Sequence, residues 1–195
     1  MFKVEFALVH NNCPTNQMSR ALPHIRFISP GGFVVGDGMV EEVAAVHKPS
    51  DADVQAVLDY LGSTPGYEEF EVLERTPQWA FIRWMAACSP QGFCSQIVEK
   101  NRGFKIGMEI QHGGLERWTV ACMTRAQAGQ LLEDLQQLGD VQSGTITETT
   151  WEHVFDPVPI DADGCSSHTA GQRTTNPPRV AAAPKVHPAS SPKTI

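Results

Sequence analysis

His10 and Cys13 stand three residues apart in the stretch His10-Asn11-Asn12-Cys13-Pro14. A proline at the first position of a helix forfeits no hydrogen bond, so Pro14 predicts a helix start with Cys13 as its N-cap. The dipole of that helix would favour a thiolate at Cys13. A thiolate beside an imidazole can bind a soft metal ion or form a reactive pair. The plainer reading is a buried thiol next to a surface histidine. A similar junction recurs at Cys88-Ser89-Pro90, with Cys94 following. Ser89 is expected to cap the second helix, which leaves Cys88 just before it and Cys94 more than one turn inside. The five residues between Cys88 and Cys94 exceed the two to four of a zinc knuckle. Joint action with Cys13 therefore depends on the fold bringing both junctions together.

Trp79, Trp84 and Trp118 fall on predicted strands of the second half and could line an apolar pocket, although core packing is the commoner role. Cys122 ends an alternating strand and reads as core. Cys165 lies in a compositionally biased tail. The glycine-rich run Pro30–Gly38 lacks the following helix and the lysine of a phosphate loop, so it reads as a hairpin turn. The acids at Glu41-Glu42, Glu68-Glu69-Glu71 and Glu133-Asp134 read as solvated faces, with no pair spaced for acid and base work.

The elements that must carry these residues follow from periodicity. Phe2, Val4, Phe6 and Leu8 alternate as a strand, followed by a helix to about Leu22. Strands are expected at Ile25–Ser29 and Val40–His47. A helix capped by Ser50 or Asp51 carries Val54, Val57, Leu58 and Leu61 at helical spacing. Tyr67–Glu74 completes a β-α-β-β-α-β series. The series then restarts with strand Trp79–Met85, a helix bearing Ile97 and Val98, and a hairpin of Phe104–Ile110 with Leu115–Cys122. A helix capped by Thr124 and ended by Gly139 follows, then a last strand from Val141 to Trp151. The expected fold is α+β: two tandem ferredoxin-like halves (1–75 and 76–152) with antiparallel sheets, packed face to face or joined edge to edge. Residues 153–195, rich in Pro, Ala, Ser and Thr, are expected to be a disordered tail.

The chain has 195 residues, a formal net charge of −7 and 41% hydrophobic residues, enough to bury a core. Arg173, Arg179, Lys185 and Lys193 carry the only charges after Asp163, leaving 11 basic against 22 acidic residues in 1–163. So acidic a region repels a phosphate backbone, and direct nucleic-acid binding by it is not expected. The opening MFKVEFALVH alternates rather than forming a signal peptide's apolar run. No apolar run approaches the ~18 to 20 residues of a membrane span. The expected location is cytoplasmic, where the five cysteines stay reduced.

Cys13-Pro14 followed by Met18-Ser19-Arg20-Ala21-Leu22-Pro23-His24 resembles the N-terminal region of bacterio-opsin-activator-type helix-turn-helix regulators. The second half is similar too, with its Cys-Pro turn, helix, hairpin, and the helix Leu131-Leu132-Glu133-Asp134-Leu135-Gln136-Gln137-Leu138-Gly139. The resemblance covers roughly residues 2–150. It implies a ligand- or stress-sensing input domain that normally precedes a DNA-binding module. Here the Pro/Ala/Ser tail occupies the place of the helix-turn-helix. The function expected is a regulatory sensor of a small molecule or thiophilic metal ion, with His10, Cys13, Cys88 and Cys94 as ligand candidates. A partner protein or a homodimer would relay the signal. The alternatives are a cysteine-dependent enzyme or redox protein using Cys13 and His10, and a protein-interaction scaffold.

Overall fold

The computed structural model describes residues 1–36, 38–88 and 92–155. Alternating apolar residues form strands where expected: β1 (Phe2–His10), β2 (Phe27–Ser29), β4 (Met39–His47), β5 (Tyr67–Arg75), β6 (Trp79–Ala87) and β9 (Leu115–Cys122). The glycine-rich run read as a turn also contributes a strand, β3 (Gly32–Gly36), which pairs with β4. The expected strand Phe104–Ile110 is broken into β7 (Phe104–Lys105) and β8 (Glu109–His112). The last strand, β10, runs Gly139–Glu148.

All ten strands join one antiparallel sheet in the order β10-β1-β9-β8-β2-β4-β6-β5, with β3 beside β4 and β7 beside β9. The expected series β-α-β-β-α-β is not matched strand for strand, because β3 and β7 give each stretch three strands between its helices, and the sheet is not divided at residues 75 and 76. β1 inserts between β9 and β10 of the second half. In return, β6 inserts between β4 and β5 of the first. The two blocks meet edge to edge where β2 pairs with β8 across Ile28 and Ile110. Alternation specifies which face of a strand is buried, not which strand lies beside it, so the exchange leaves no periodic trace.

Helices cover one face. α1 (Pro14–Ala21) begins at Pro14 with Cys13 as N-cap, as expected. α2 (Asp51–Ser63) and α4 (Arg125–Leu135) each start in a capping box, Ser50 with Asp53 and Thr124 with Gln127. α3 spans Cys94–Lys100, so its N-cap is Phe93 rather than Ser89. Ser89 and Pro90 lie outside the described residues. A short α5 (Trp151–Phe155) stands where the tail was expected to begin, and the tail from 156 onward also lies outside them. No helix among the described residues is long and apolar enough to cross a membrane.

Each core mixes the halves. One packs Met18 of α1, Phe27, Val57 and Leu61 against Ile82 and Trp84 of β6. The other packs Val4, Phe6 and Leu8 of β1 against Val98 of α3, Val120, Leu131 and Leu135. Gly139 does not stop α4, which ends at Leu135; it lies in β10, where a Cβ would sit 2.0 Å from the Val9 carbonyl oxygen. Gly139→Ala should therefore lower stability by about 1–3 kcal/mol, because backbone must shift to admit it. Gly129→Ala, in α4 with open space around it, should instead stabilise by about 0.5–1 kcal/mol. Urea midpoints of the two variants should move in opposite directions.

Candidate metal centre

Two chain junctions converge where β2 meets β8. β1 delivers His10 at its end, 1% exposed, and the turn after it brings buried Cys13 to the head of α1. The late start of α3 puts Cys94, not Cys88, at the first turn of that helix, also buried. β9 presents Glu116 and Trp118 in the same inward phase as Val120. β4 likewise turns Glu42 inward with Val40 and Ala44, and β8 turns in Glu109 and Gln111. His10, Cys13, Cys94, Glu42, Glu109 and Glu116 line one cavity of about 50 Å³.

The hydrogen bonds orient this set. His10 Nε2 lies 3.2 Å from the Gly92 carbonyl, which can only accept. In the neutral ring this keeps the proton on Nε2 and turns the Nδ1 lone pair toward Glu116 Oε2, 2.9 Å away. Two Lewis bases so close require a proton or a cation between them. The other carboxylate oxygen of Glu116 accepts from Trp118 Nε1 at 2.6 Å. The ligand atoms of His10, Cys94 and Glu116 all lie within 4.8 Å of one another. Further along the cavity, Thr15 donates to Glu42 at 2.5 Å and Gln111 Nε2 donates to Glu109 at 2.6 Å. The amide oxygen of Gln111 has no hydrogen-bond partner, although Gln111 is buried and lines the cavity. It lies directly across β8–β9 from Glu116. Trp84 Nε1, also buried without a partner, belongs to the residue opposite Glu42 across β4–β6. The orphaned amide oxygen of Gln111, which lines the cavity, marks a place for water or an ion.

Negative charge is in surplus here. Lys105 supplies one ammonium, 3.8 Å from Glu109. Burial, reinforced by the charge of Glu116, raises the pKa of Glu42 to about 7 despite its Thr15 hydrogen bond. Burial and then Glu116 and Glu42 push Glu109 well above the usual carboxylate range. Against the thiolate expected from the helix dipole at Cys13, burial and the nearby Glu116 raise the thiol well above its ordinary value. Cys94 is raised for the same reasons. A dipole at a helix start is worth about 1 kcal/mol, less than desolvation beside carboxylates.

Of the residues singled out from sequence, His10, Cys13, Cys94 and Trp118 come together. Cys88 does not; it packs half-buried against the core around Trp84, because α3 starts six residues after it. Trp84 is core, and Trp79 faces the opposite side of the sheet, stacked near His47 and Phe81. Glu42, Glu109, Glu116 and Gln111 escaped a reading that put acids on solvated faces. For Glu42 the signal was present, since it occupies the inward phase of its strand between Val40 and Ala44, and Glu116 shares the phase of Trp118 and Val120.

Glu42 gives a pH test with a definite sign. Its folded pKa lies above the unfolded value of 4.5, so the folded state holds the proton more tightly and loses stability as pH rises from about 5 toward 8. Glu109 acts in the same direction. Glu42→Gln should flatten that decline, raising the melting temperature near pH 8 far more than near pH 5. An unchanged slope would remove Glu42 from the buried charge balance.

No curated protein matches the chain, and no solved structure does. A family model described as HVO_2525_N, N-terminal, matches residues 3–141. All of the cavity residues named above fall inside that span, and the chain belongs to the HVO_2525_N family.

Proposed function

We propose that the cavity binds one thiophilic divalent cation, zinc being the best fit, and that the domain is a metal-responsive regulatory module. The observation carrying this reading is the buried trio of His10, Cys94 and Glu116 with their ligand atoms within 4.8 Å of one another. Imidazole, thiolate and carboxylate are the usual donors to Zn²⁺. The Gly92 carbonyl on His10 and the Trp118 indole on Glu116 are the outer-shell partners that orient such ligands. Cys13 or the unpartnered Gln111 oxygen is available for a fourth position. A metal ion would draw the proton from Cys94 and neutralise the carboxylate surplus, so affinity rises with pH. A cavity of about 50 Å³ suits an ion with a water better than an organic substrate.

Occupancy would bind together the end of β1, the start of α3 and β9, elements drawn from both sequence halves. That is how a metal could alter what the domain presents to a partner. The strand order is compatible with two ferredoxin-like units that have exchanged their first strands, which is the form of the tandem reading we favour. The resemblance to bacterio-opsin-activator-type regulators supports a role in controlling transcription. The acidity of the folded part favours action through another protein rather than by direct contact with DNA.

Protein purified without oxygen and without a metal-affinity tag should carry about one equivalent of zinc or a similar ion by elemental analysis. Cys94→Ser, His10→Asn and Glu116→Gln should each weaken binding by more than roughly a hundredfold, since even outer-shell losses cost 10- to 100-fold. Trp118→Phe should fall in that outer-shell range. Cys88→Ser should have no effect. Absence of a tight metal from the wild-type chain, or equal binding by the three ligand variants, would end this reading.

A further inference from the structure

Lys105 is an odd neighbour for a metal centre. Its ammonium donates to the Pro30 carbonyl at 2.7 Å, lies 3.8 Å from Glu109 and stands 4.3 Å above the ring of Trp118. Trp118 therefore contacts two opposite charges: its indole N–H holds Glu116, and its face holds Lys105. Strand β7, which carries Lys105, is only two residues long and pairs with β9 at its edge. Beside it lies a more open hollow of about 390 Å³, which shares Gly31, Gly32, Ser95 and Trp118 with the cavity. Lys105 itself, Arg102 and Glu99 stand on the hollow's wall.

We propose that Lys105 is a built-in competitor for the metal: its ammonium occupies the cation place beside Glu109 and Trp118, and a divalent ion at Glu116 pushes it away from the carboxylates and farther into the adjoining hollow that it already lines. This rests on the metal reading above and assigns the residue that sets its threshold. A monovalent charge is already present beside the carboxylates, so a second monovalent ion gains little there. A divalent ion bound by a thiolate and an imidazole gains enough to expel the first. Repulsion between the ion and the ammonium grows as the buried site excludes water, whereas the ammonium in the hollow regains solvent.

The displacement has a mechanical consequence. The Pro30 carbonyl loses its donor when Lys105 leaves, at the point where β2 turns into β3. Gly31 adopts a φ of +110° there, and a Cβ on it would lie 3.3 Å from the lysine nitrogen. Beyond it, β3 is exposed along its whole length and bears Phe33 and Val34 in solvent. Metal occupancy is thereby linked to the one glycine-rich strand whose apolar side chains face outward.

Two measurements test the proposal. Zinc titrated against a chromophoric chelator should bind Lys105→Met roughly tenfold or more tightly than wild type, because a repelling charge is gone; Lys105→Arg should stay near wild type. Equal or weaker binding by Lys105→Met overturns the idea. In the wild-type chain, amine acylation followed by peptide mass spectrometry should find Lys105 shielded without metal and reactive with zinc. Zinc bound with Lys105 still shielded defeats the displacement and leaves the metal site standing. Zinc bound by neither wild type nor Lys105→Met defeats the metal reading itself.

Discussion

The exchange of first strands governs everything else in this molecule. β1 lies between β9 and β10, and β6 lies between β4 and β5. Each core thus takes its central strand from the other half of the chain, and neither half can bury its helices without the other. The exchange also sets where the chain must cross: from the end of β1 back to α1 in the first block, and from β6 to α3 in the second. Both crossings pass the β2–β8 seam, which is why His10, Cys13 and Cys94 converge there.

Burying Glu42, Glu109 and Glu116 at that seam opposes folding. Removing charges from water costs several kcal/mol each unless they are paired, and the apolar positions around them show that the sheet could have carried hydrophobic side chains instead. The chain compensates with hydrogen bonds from Thr15, Gln111 and Trp118, with His10, and with the half-buried ammonium of Lys105. These leave Gln111 and Trp84 with unpartnered atoms. The N, S and O donor set at this buried place is the chemistry on which the metal proposal rests.

The cysteines illustrate how competing effects are ranked by size. A thiol at a helix start feels a favourable dipole, but the same thiols are buried beside carboxylates, and desolvation with like-charge repulsion is the larger effect. Both thiols are therefore raised above their ordinary range rather than lowered as the dipole alone would have them.

Much was legible from the residues alone. The 2.0 and 3.6 periodicities located nearly every strand and helix, because burial of one face is written into each segment. Pro14, Ser50 and Thr124 announced three helix starts through chemistry local to each turn. His10 and Cys13 were recognisable because they share one junction. Tertiary structure decided the rest. Alternation does not encode a strand's neighbour, so the exchange of β1 and β6 was invisible. The start of α3 at Cys94 rather than beside Ser89 brought a different thiol to the seam. Glu116 meets His10 from 106 residues away, Lys105 meets Pro30 from 75, and whether an acid on a strand faces water or another acid depends on what those distant segments place opposite it.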